Sequence, residues 1–437
     1  MFVHKPQAGR AILAFRNYLW CMRNWMLPLA LLSCQCLFAQ MGVEKHIESL
    51  ESEIAERRTE IDSIQFYADS LKLVLISQKL EEMGWPDTEG ELVRHSALAL
   101  SYEEEHELAR WVSHMILNDV AEGRTTRTND FRADPKISSG STEEEDFFLK
   151  WQNDEGEWEY DGYGYDRGHL APSADFRWNQ KALSESFFYS NMTPQHPDFN
   201  RAAWAELEGY VRNYAIENSV DLYVVTGPVL NSDLKKVERS VNEMSLPEFH
   251  YKVVLDAEND RAIGFLMPNE LCEKPLEAYV RSIDEIEEIT GLDFFPALED
   301  LLELQLESSS DYFPWLPEDQ RGDAAMIRPE NLGKGKYNTL QAYDHVETGK
   351  KVEICGTVVS TFKSDNNNVF INLDKKFPNT IFTLTIWSRN QANFSYPPEK
   401  ELLNLKVCAR GEISRREGVM QMNITNEKQI EVLAGDF

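Results

Sequence analysis

Three short motifs in the middle of the chain constrain its fold most. In one-letter code they are YDRGHLAP at 165–172, SNMTPQ at 190–195 and NRAAWAELE at 200–208. Glycines at positions 162, 164 and 168 surround His169, a pattern typical of a tight exposed loop rather than a core histidine. The third motif has helical spacing, which places Asn200 and Glu208 along one side of a helix. The sequence therefore predicts a polar loop that faces an amphipathic helix.

These residue types suit the hydrolysis of a phosphodiester, which needs a general base, a cation and a contact to the phosphate. His169 has an ordinary pKa of about 6.5, so its neutral form is available at pH 7. Asn200 offers an amide oxygen to Mg²⁺, a cation that keeps several waters and takes few protein ligands. Glu208 is placed to hold a metal-bound water. Arg167 is placed to bind a phosphate oxygen.

Each residue alone also has a structural explanation. A single histidine is more often structural than catalytic. Asn200 could cap the helix that follows it, and Arg167 could form a surface ion pair. The order and spacing of the three motifs together favour the catalytic interpretation.

The motifs resemble those of the DNA/RNA non-specific endonucleases of the ββα-metal superfamily, which include secreted bacterial nucleases and endonuclease G. The resemblance covers residues 98–306 and implies cleavage that leaves 5′-phosphates. It implies that His169 is the general base, Asn200 the metal ligand and Glu208 the carboxylate behind the metal. It also implies that Asn191 supports the site and that Arg167 contacts phosphate. The implied cofactor is Mg²⁺, with Mn²⁺ or another divalent cation as the alternative.

The same resemblance implies an upstream arginine that precedes an Asp-Pro pair. Here Asp134-Pro135 follows a segment with several arginines. We favour Arg127 as a catalytic and substrate-binding residue, with Arg124 as the second candidate.

Residues 1–40 are typical of an export signal. A basic segment near Met22 precedes an apolar run that ends near Phe38, too short for a comfortable membrane span. We expect a secreted or periplasmic protein without a stable span in the mature chain. The alternative is a lipoprotein anchored through Cys34.

Residues 41–84 are predicted to form a coiled-coil helix. Apolar residues alternate at steps of three and four over about four heptads, with Arg57 breaking one core position, at Ile47, Leu50, Ile54, Ile61, Ile64, Ala68, Leu71 and Leu75. The pattern predicts a homo-oligomer. A lone amphipathic helix that folds back on the following domain is the alternative.

The remaining chain divides by composition into three parts. Residues 98–306 mix helices and strands, and we predict a nuclease core with a mixed sheet, including a helix over 104–120. Residues 307–335 are polar and proline-broken, as in a linker. Residues 336–437 carry five short strand candidates, typical of a small barrel that resembles an OB-fold. The predicted fold class is thus α+β.

The last part also offers aromatic side chains for stacking on bases, and we single out Trp387 as a substrate-binding residue. The alternative is that these aromatic residues belong to the barrel core. Cys355 and Cys408 either pair, if their strands are neighbours, or remain buried thiols.

The formal net charge of −30 opposes nucleic-acid binding, and it predicts weak non-specific affinity and little long-range steering. The acid is unevenly spread, since residues 331–437 carry 14 Lys and Arg against 12 Asp and Glu. We expect an enzyme that cuts DNA and RNA. The alternatives are a nucleic-acid-binding scaffold with an inactive nuclease core, and a phosphodiesterase acting on small esters or lipids.

Overall fold

The computed structural model describes residues 11–317, 320, 323–346, 348–416 and 418–433, and it describes side chains within these ranges except at 11–42, 158 and 160. The side chains of the predicted signal segment, 1–40, lie outside the described residues, so that assignment stays a prediction. Among the described residues, no helix has both the length and the hydropathy that a membrane span requires.

The α-helices of the described chain are α1 (Ala11–Met83), α2 (Glu144–Phe147), α3 (Gln180–Glu185), α4 (Ala205–Asn218), α5 (Ile283–Thr290), α6 (Asp300–Glu307) and α7 (Pro398–Glu401). The first eleven strands are β1 (Glu91–Arg94), β2 (Leu98–Glu103), β3 (Leu108–Ile116), β4 (Phe148–Gln152), β5 (Trp158–Gly162), β6 (Asp166–His169), β7 (Met192–Gln195), β8 (Leu222–Pro228), β9 (Phe249–Asp256), β10 (Arg261–Pro268) and β11 (Val280–Arg281). The remaining strands are β12 (Lys336–Asn338), β13 (Val352–Lys363), β14 (Val369–Leu373), β15 (Phe382–Ile386), β16 (Lys406–Gly411), β17 (Ile413–Arg416), β18 (Val419–Asn423) and β19 (Ile430–Val432).

The central sheet has the strand order β1-β2-β3-β8-β9-β10-β11. Every neighbouring pair in it is antiparallel, so the predicted mixed sheet is wrong while the α+β class is confirmed. Apolar side chains cover both faces, because Val254 and Ile263 pack with α4 whereas Val253 and Leu255 pack with α5. Residues that alternate along one strand therefore belong to two different cores.

The predicted helix over 104–120 is wrong, because its centre is strand β3. Trp111 and Val112 are adjacent in sequence, point to opposite faces and are both fully buried. A central strand that is buried on both faces reads as a nearly continuous apolar run. Such a run contains apolar residues three and four apart by chance, so spacing alone does not separate it from a helix.

Helix α1 is continuous over 73 residues and ends before Gly84, as predicted. The chain divides into two units after Lys72. Seven of the eight predicted heptad residues are solvent-exposed, with exposed fractions between 46% and 64%, and Ala68 is half-buried. Of the seven, Leu75 already belongs to the second unit.

The second unit begins inside α1 rather than at the predicted residue 98. Ile76 and Leu80 are each only 3% exposed and pack with Val93 and Leu98 of β1 and β2. Burying two such side chains contributes roughly 3–6 kcal/mol to folding. The last turns of α1 are therefore part of the core.

The segment predicted as a linker, 307–335, packs against the core instead of hanging free. Trp315 is 2% exposed, and its ring lies 4.3 Å from that of Tyr214 on α4. Its carbonyl accepts a hydrogen bond of 2.5 Å from the hydroxyl of Tyr210. The proline-rich composition signalled irregular backbone correctly, but irregular backbone is not the same as a mobile linker.

The C-terminal part is an all-β unit with the strand order β17-β18-β15-β14-β13-β16-β19. Only Glu412 separates β16 from β17 in the chain. In the sheet, however, β17 lies at one end of this order and β16 lies next to the other end. Strands β15 and β18 are parallel, and the other pairs in this order are antiparallel. No closed ring of strand pairs is seen among the described residues, and the OB-type assignment stays a prediction.

Cys355 on β13 and Cys408 on β16 are register partners and form a disulfide, so the alternative of two free thiols is wrong. The same all-β unit is joined by ion pairs to the part of the chain that contains the central sheet. Arg415 contacts Glu273 at 2.5 Å, and the 3%-exposed Lys375 contacts Glu277 at 3.1 Å. The two parts are thus docked on each other.

Candidate active site

Strands β6 and β7 bring the first two motifs side by side. They pair antiparallel, with Asp166 opposite Gln195 and His169 opposite Met192. The predicted exposed loop around His169 is therefore wrong, since His169 is the last residue of a strand. Gly168 has a different purpose from the one predicted: a Cβ there would lie 2.1 Å from Oε1 of Gln195. Close packing across the ribbon, and not a tight turn, requires this glycine.

His169 is half-buried between two aromatic rings. Its ring centroid lies 5.1 Å from that of Phe187, edge to face, and 5.8 Å from that of Phe131. Its Nε2 atom is shielded from solvent and has no hydrogen-bond partner among the described residues. Burial first, and then the charges of Arg127 and Arg167, lower the pKa of His169 to about 3. The imidazole is consequently neutral and able to accept a proton at pH 7.

Asn200 lies in a π-helical turn, Phe199–Trp204, that leads into α4. Its Nδ2 donates to Oδ2 of Asp166 at 2.9 Å, and Arg201 binds the same carboxylate at 2.7 and 2.6 Å. Burial acts to raise the pKa of Asp166, but the hydrogen bonds from Arg201 and Asn200 outweigh it and lower the pKa. The capping alternative for Asn200 is wrong, because the residues that cap the π turn and α4 are Asp198 and Trp204.

Arg167 lies between aromatic rings rather than in a surface ion pair. Its guanidinium carbon is 3.7 Å from the ring centroid of Phe131 and 4.7 Å from that of Phe148. Its ion pair with the carboxylate of Glu144 is long, at 4.0 Å. Stacking covers the faces of the planar guanidinium and leaves the N–H donors on its edge, one of which donates to the hydroxyl of Tyr189 at 3.4 Å.

One open cleft of about 580 Å³ collects Asn200 and Arg167, and His169 lies beside it, next to the lining residue Phe131. It is lined by Arg127, Asn129, Phe131, Glu144, Phe148, Asp166, Arg167, Asn200 and Arg201. Of the two upstream arginines, Arg127 lines the cleft and Arg124 does not. Three arginines against two carboxylates make this lining locally basic in a chain whose net charge is −30.

The other predicted residues lie outside the cleft lining. Asn191 is fully buried and clamps the chain beyond His169: its Oδ1 accepts from the amide of Ala171 at 3.0 Å, and its Nδ2 donates to the carbonyls of Ala171 and Ser186 at 2.9 and 2.8 Å. Trp387 lies on the C-terminal unit, where its Nε1 donates to Oδ1 of Asn423 at 2.9 Å. The structure does not bring Trp387 together with the cleft residues.

Glu208 lies one helical turn beyond Trp204 and faces a lysine that sequence reasoning missed. Burial raises the pKa of the Glu208 carboxyl, and the charge of Lys252 opposes that rise. Lys252 is 2% exposed on β9, and its Nζ donates to Oγ1 of Thr226 at 2.7 Å. The available signal was a lysine inside the otherwise apolar run of β9, since lysine is almost never fully buried without a partner.

The donor atoms present fit a hard divalent cation. The Nδ2 atom of Asn200 is committed to Asp166, and none of the described residues donates to its Oδ1 atom. A single amide oxygen suffices for Mg²⁺, which keeps several of its waters when bound. The carboxyl of half-buried Glu208, eight residues further along the chain on α4, would offer further acceptor oxygens.

The pH profile tests the lowered pKa of His169. The sequence motifs predict that His169 is the general base. Its protonation would then abolish activity, so we expect the acid limb of kcat/KM to lie well below pH 6.5. Arg127→Gln removes one charge that opposes protonation and should move this limb to higher pH, whereas Arg127→Lys keeps the charge and should move it less. Identical acid limbs in the wild type and Arg127→Gln would show that Arg127 does not act on the base.

Comparison with known proteins identifies the region that carries these motifs. A sequence model of the DNA/RNA non-specific endonuclease family matches residues 76–301. The mitochondrial nuclease EXOG of Mus musculus is 31% identical over 237 residues, which are 50% of this chain and 61% of that protein. Nuclease C1 of Cunninghamella echinulata var. echinulata is 31% identical over 239 residues, which are 51% of this chain and 90% of the relative.

A nuclease of Nostoc sp. is 33% identical over 225 residues, which are 49% of this chain and 76% of the relative. A solved structure of the EndoG/EndoGI complex aligns with a TM-score of 0.41 and 25% identity, covering 52% of this chain and 91% of that one. The family match spans slightly more than half of the 437 residues and contains all three motifs. The chain belongs to the DNA/RNA non-specific endonuclease family.

Proposed function

We propose that this chain hydrolyses phosphodiester bonds of DNA and RNA with His169 as the general base and Mg²⁺ as the cofactor. The observation that carries the proposal is a neutral, half-buried imidazole beside a cleft with three arginines and Asn200. Family membership supports the same activity.

In this proposal each side chain has one task. His169 removes a proton from the attacking water, and Arg127 and Arg167 bind the non-bridging oxygens of the phosphate. Asn200 would hold the cation, with Mn²⁺ as an alternative to Mg²⁺, and Glu208 would orient its waters. The bound cation would neutralise charge that develops on the phosphate and the leaving oxygen. The expected products carry 5′-phosphates.

The cleft lining also supports low sequence preference. Its charged side chains suit contacts to phosphates, which position a nucleic acid without reading its bases. The basic lining acts within a few ångströms of the phosphate, whereas charges beyond roughly 8 Å are screened at physiological salt. The acidic total charge therefore predicts a low affinity that falls further with salt, without preventing catalysis.

Matched substrates separate the proposed activity from that of a phosphodiesterase acting on small esters. One labelled sequence would be offered as DNA and as RNA, beside bis(p-nitrophenyl) phosphate, with Mg²⁺ present. We expect both polymers to be cleaved with similar kcat/KM, and the small ester far more slowly. Rapid hydrolysis of the small ester with intact polymers would overturn the proposal.

We also propose that the protein is exported to the periplasm or secreted after loss of residues 1–40. The disulfide between Cys355 and Cys408 supports an oxidising compartment. N-terminal sequencing of the mature protein should find its start near residue 40. A lipid-modified Cys34 at the start would instead identify the anchored form.

The exposed heptad seam supports self-association through residues 41–84. We expect residues 43–437 to sediment as an oligomer at micromolar concentration and residues 73–437 as an active monomer. The shorter chain begins at Leu73 because Ile76 and Leu80 belong to the core. A monomeric longer chain would contradict the coiled-coil proposal and favour the lone helix.

The C-terminal unit is proposed to raise affinity for single strands through Trp387. Loss of one stacked base costs roughly 1–3 kcal/mol, so Trp387→Ala should raise KM for long single strands about 5- to 160-fold with kcat nearly unchanged. Phe377→Ala, at an 84%-exposed position of the same unit, is the control and should leave KM unaltered. Point variants are preferable to deletion of the unit, which would strip Glu277 of its Lys375 partner. An unchanged KM in Trp387→Ala would refute the stacking role.

A further inference from the structure

Three carboxylates converge where α5 and α6 meet, away from the cleft. Asp284 and Glu287 lie on α5 and Glu307 is the last residue of α6. One carboxylate oxygen from each lies within 4.8 Å of the other two. Acidic groups at such distances repel one another unless a cation lies between them.

Glu307 is the unusual member of this cluster. It is only 5% exposed, and its buried Oε1 has no hydrogen-bond partner among the described residues. The structure records no Lys or Arg ion pair with any of the three carboxylates in the described chain. The charges of Asp293 and Glu303 add to the negative potential at Glu307. A buried ionised carboxylate without a partner is costly, so either a bound cation or a proton compensates the charge of Glu307.

The number of carboxylate ligands discriminates between hard cations. Mg²⁺ keeps several of its waters and usually takes one or two protein carboxylates. Ca²⁺ takes about six to eight oxygens, and carboxylates bind it through one or both of their oxygens. Three protein carboxylates within 4.8 Å of one another therefore match Ca²⁺ better than Mg²⁺.

We propose that Asp284, Glu287 and Glu307 form a structural Ca²⁺ site that fastens α6 to α5. Glu287 is oriented for this by the amide of Phe294, which donates to its Oε1 at 2.7 Å. Both helices pack on the core face that contains Ile286 and Leu306. Bound Ca²⁺ therefore stabilises this face and takes no part in the cleavage chemistry.

Thermal melting of the full chain, stripped of metal with EDTA and then dialysed, tests the site. Ca²⁺ at about 5 mM, several times the ~1 mM dissociation constant of weak extracellular calcium modules, should raise the Tm of the wild type by roughly 1–2 °C. Mg²⁺ at the same concentration should raise it clearly less. An equal shift with Mg²⁺ would overturn the assignment to Ca²⁺.

Single substitutions test whether the Ca²⁺-induced rise in Tm arises from these three carboxylates. Glu307→Gln should abolish the Ca²⁺ shift and should melt no lower than the wild type without Ca²⁺, because it removes a buried uncompensated charge. Asp284→Asn, at an exposed position that the fold tolerates, should weaken Ca²⁺ binding about tenfold in an isothermal titration. Glu288→Gln on the same helix is the matched control and should keep the full shift.

Asn200→Ala separates this site from the proposed catalytic cation, because it should keep the Ca²⁺ shift. A wild type whose Tm ignores Ca²⁺ would overturn the proposal. A Ca²⁺ shift that survives in Glu307→Gln or disappears in Asn200→Ala would overturn it as well.

Discussion

His169→Ala should lose about 10²- to 10⁴-fold in kcat/KM on DNA and RNA alike, because loss of a positioned general base typically costs that much. The imidazole makes no side-chain hydrogen bond to the described residues, so the substitution leaves no partner unsatisfied. It removes only packing against Phe131 and Phe187. The melting temperature should therefore fall modestly while activity nearly disappears.

His106→Ala is the matched control for the loss of a buried histidine. His106 is 9% exposed and bonds to Oγ of Ser245 at 2.8 Å, outside the cleft. Its replacement should cost stability without changing the activity of the folded protein. Near wild-type cleavage by folded His169→Ala would remove His169 from the mechanism.

Asn200→Ala should be the second most damaging change, since it deletes the proposed cation ligand. We expect lower activity at every Mg²⁺ concentration and a Mg²⁺ titration shifted to higher concentration. Asn200→Asp keeps an oxygen ligand and should retain more activity. It places a second carboxylate beside Asp166, however, so its recovery should be incomplete.

The Mg²⁺ titration is the decisive readout for Asn200, because a purely structural residue would change stability and not the metal dependence. An unchanged Mg²⁺ titration in Asn200→Ala would place the ligand elsewhere. Arg201→Ala is a useful companion, since Arg201 shares the Asp166 carboxylate and offers no oxygen to the cation.

The sequence predicted the members of the site better than their local structure. His169, Arg167, Arg127 and Asn200 were named from motif order, and all lie in or beside one cleft. The strand at His169 was missed because the neighbouring Gly168 was interpreted as part of a tight loop. Gly168 is required instead by its contact with Gln195, which is 27 positions away in the chain. A contact between residues so far apart in the chain cannot be recognised from the residues next to Gly168.

Two further misses have the same physical origin. Strand β3 resembled a helix because both its faces are buried. Lys252 escaped notice because its partners, Leu170 and Thr226, are distant from it in the sequence. The pair of Cys355 and Cys408 could not be decided without the register of β13 against β16. Tertiary neighbours, and not local preference, decide each of these features.

The central claim is tested most directly by the nicking of a supercoiled plasmid with the full chain, in Mg²⁺ and in EDTA. The wild type should relax and then degrade the plasmid in Mg²⁺ and leave it intact in EDTA. His169→Ala should be inactive in both. A plasmid that stays supercoiled with the wild type in Mg²⁺ would identify an inactive scaffold, and cleavage that persists in EDTA would contradict the metal-dependent mechanism.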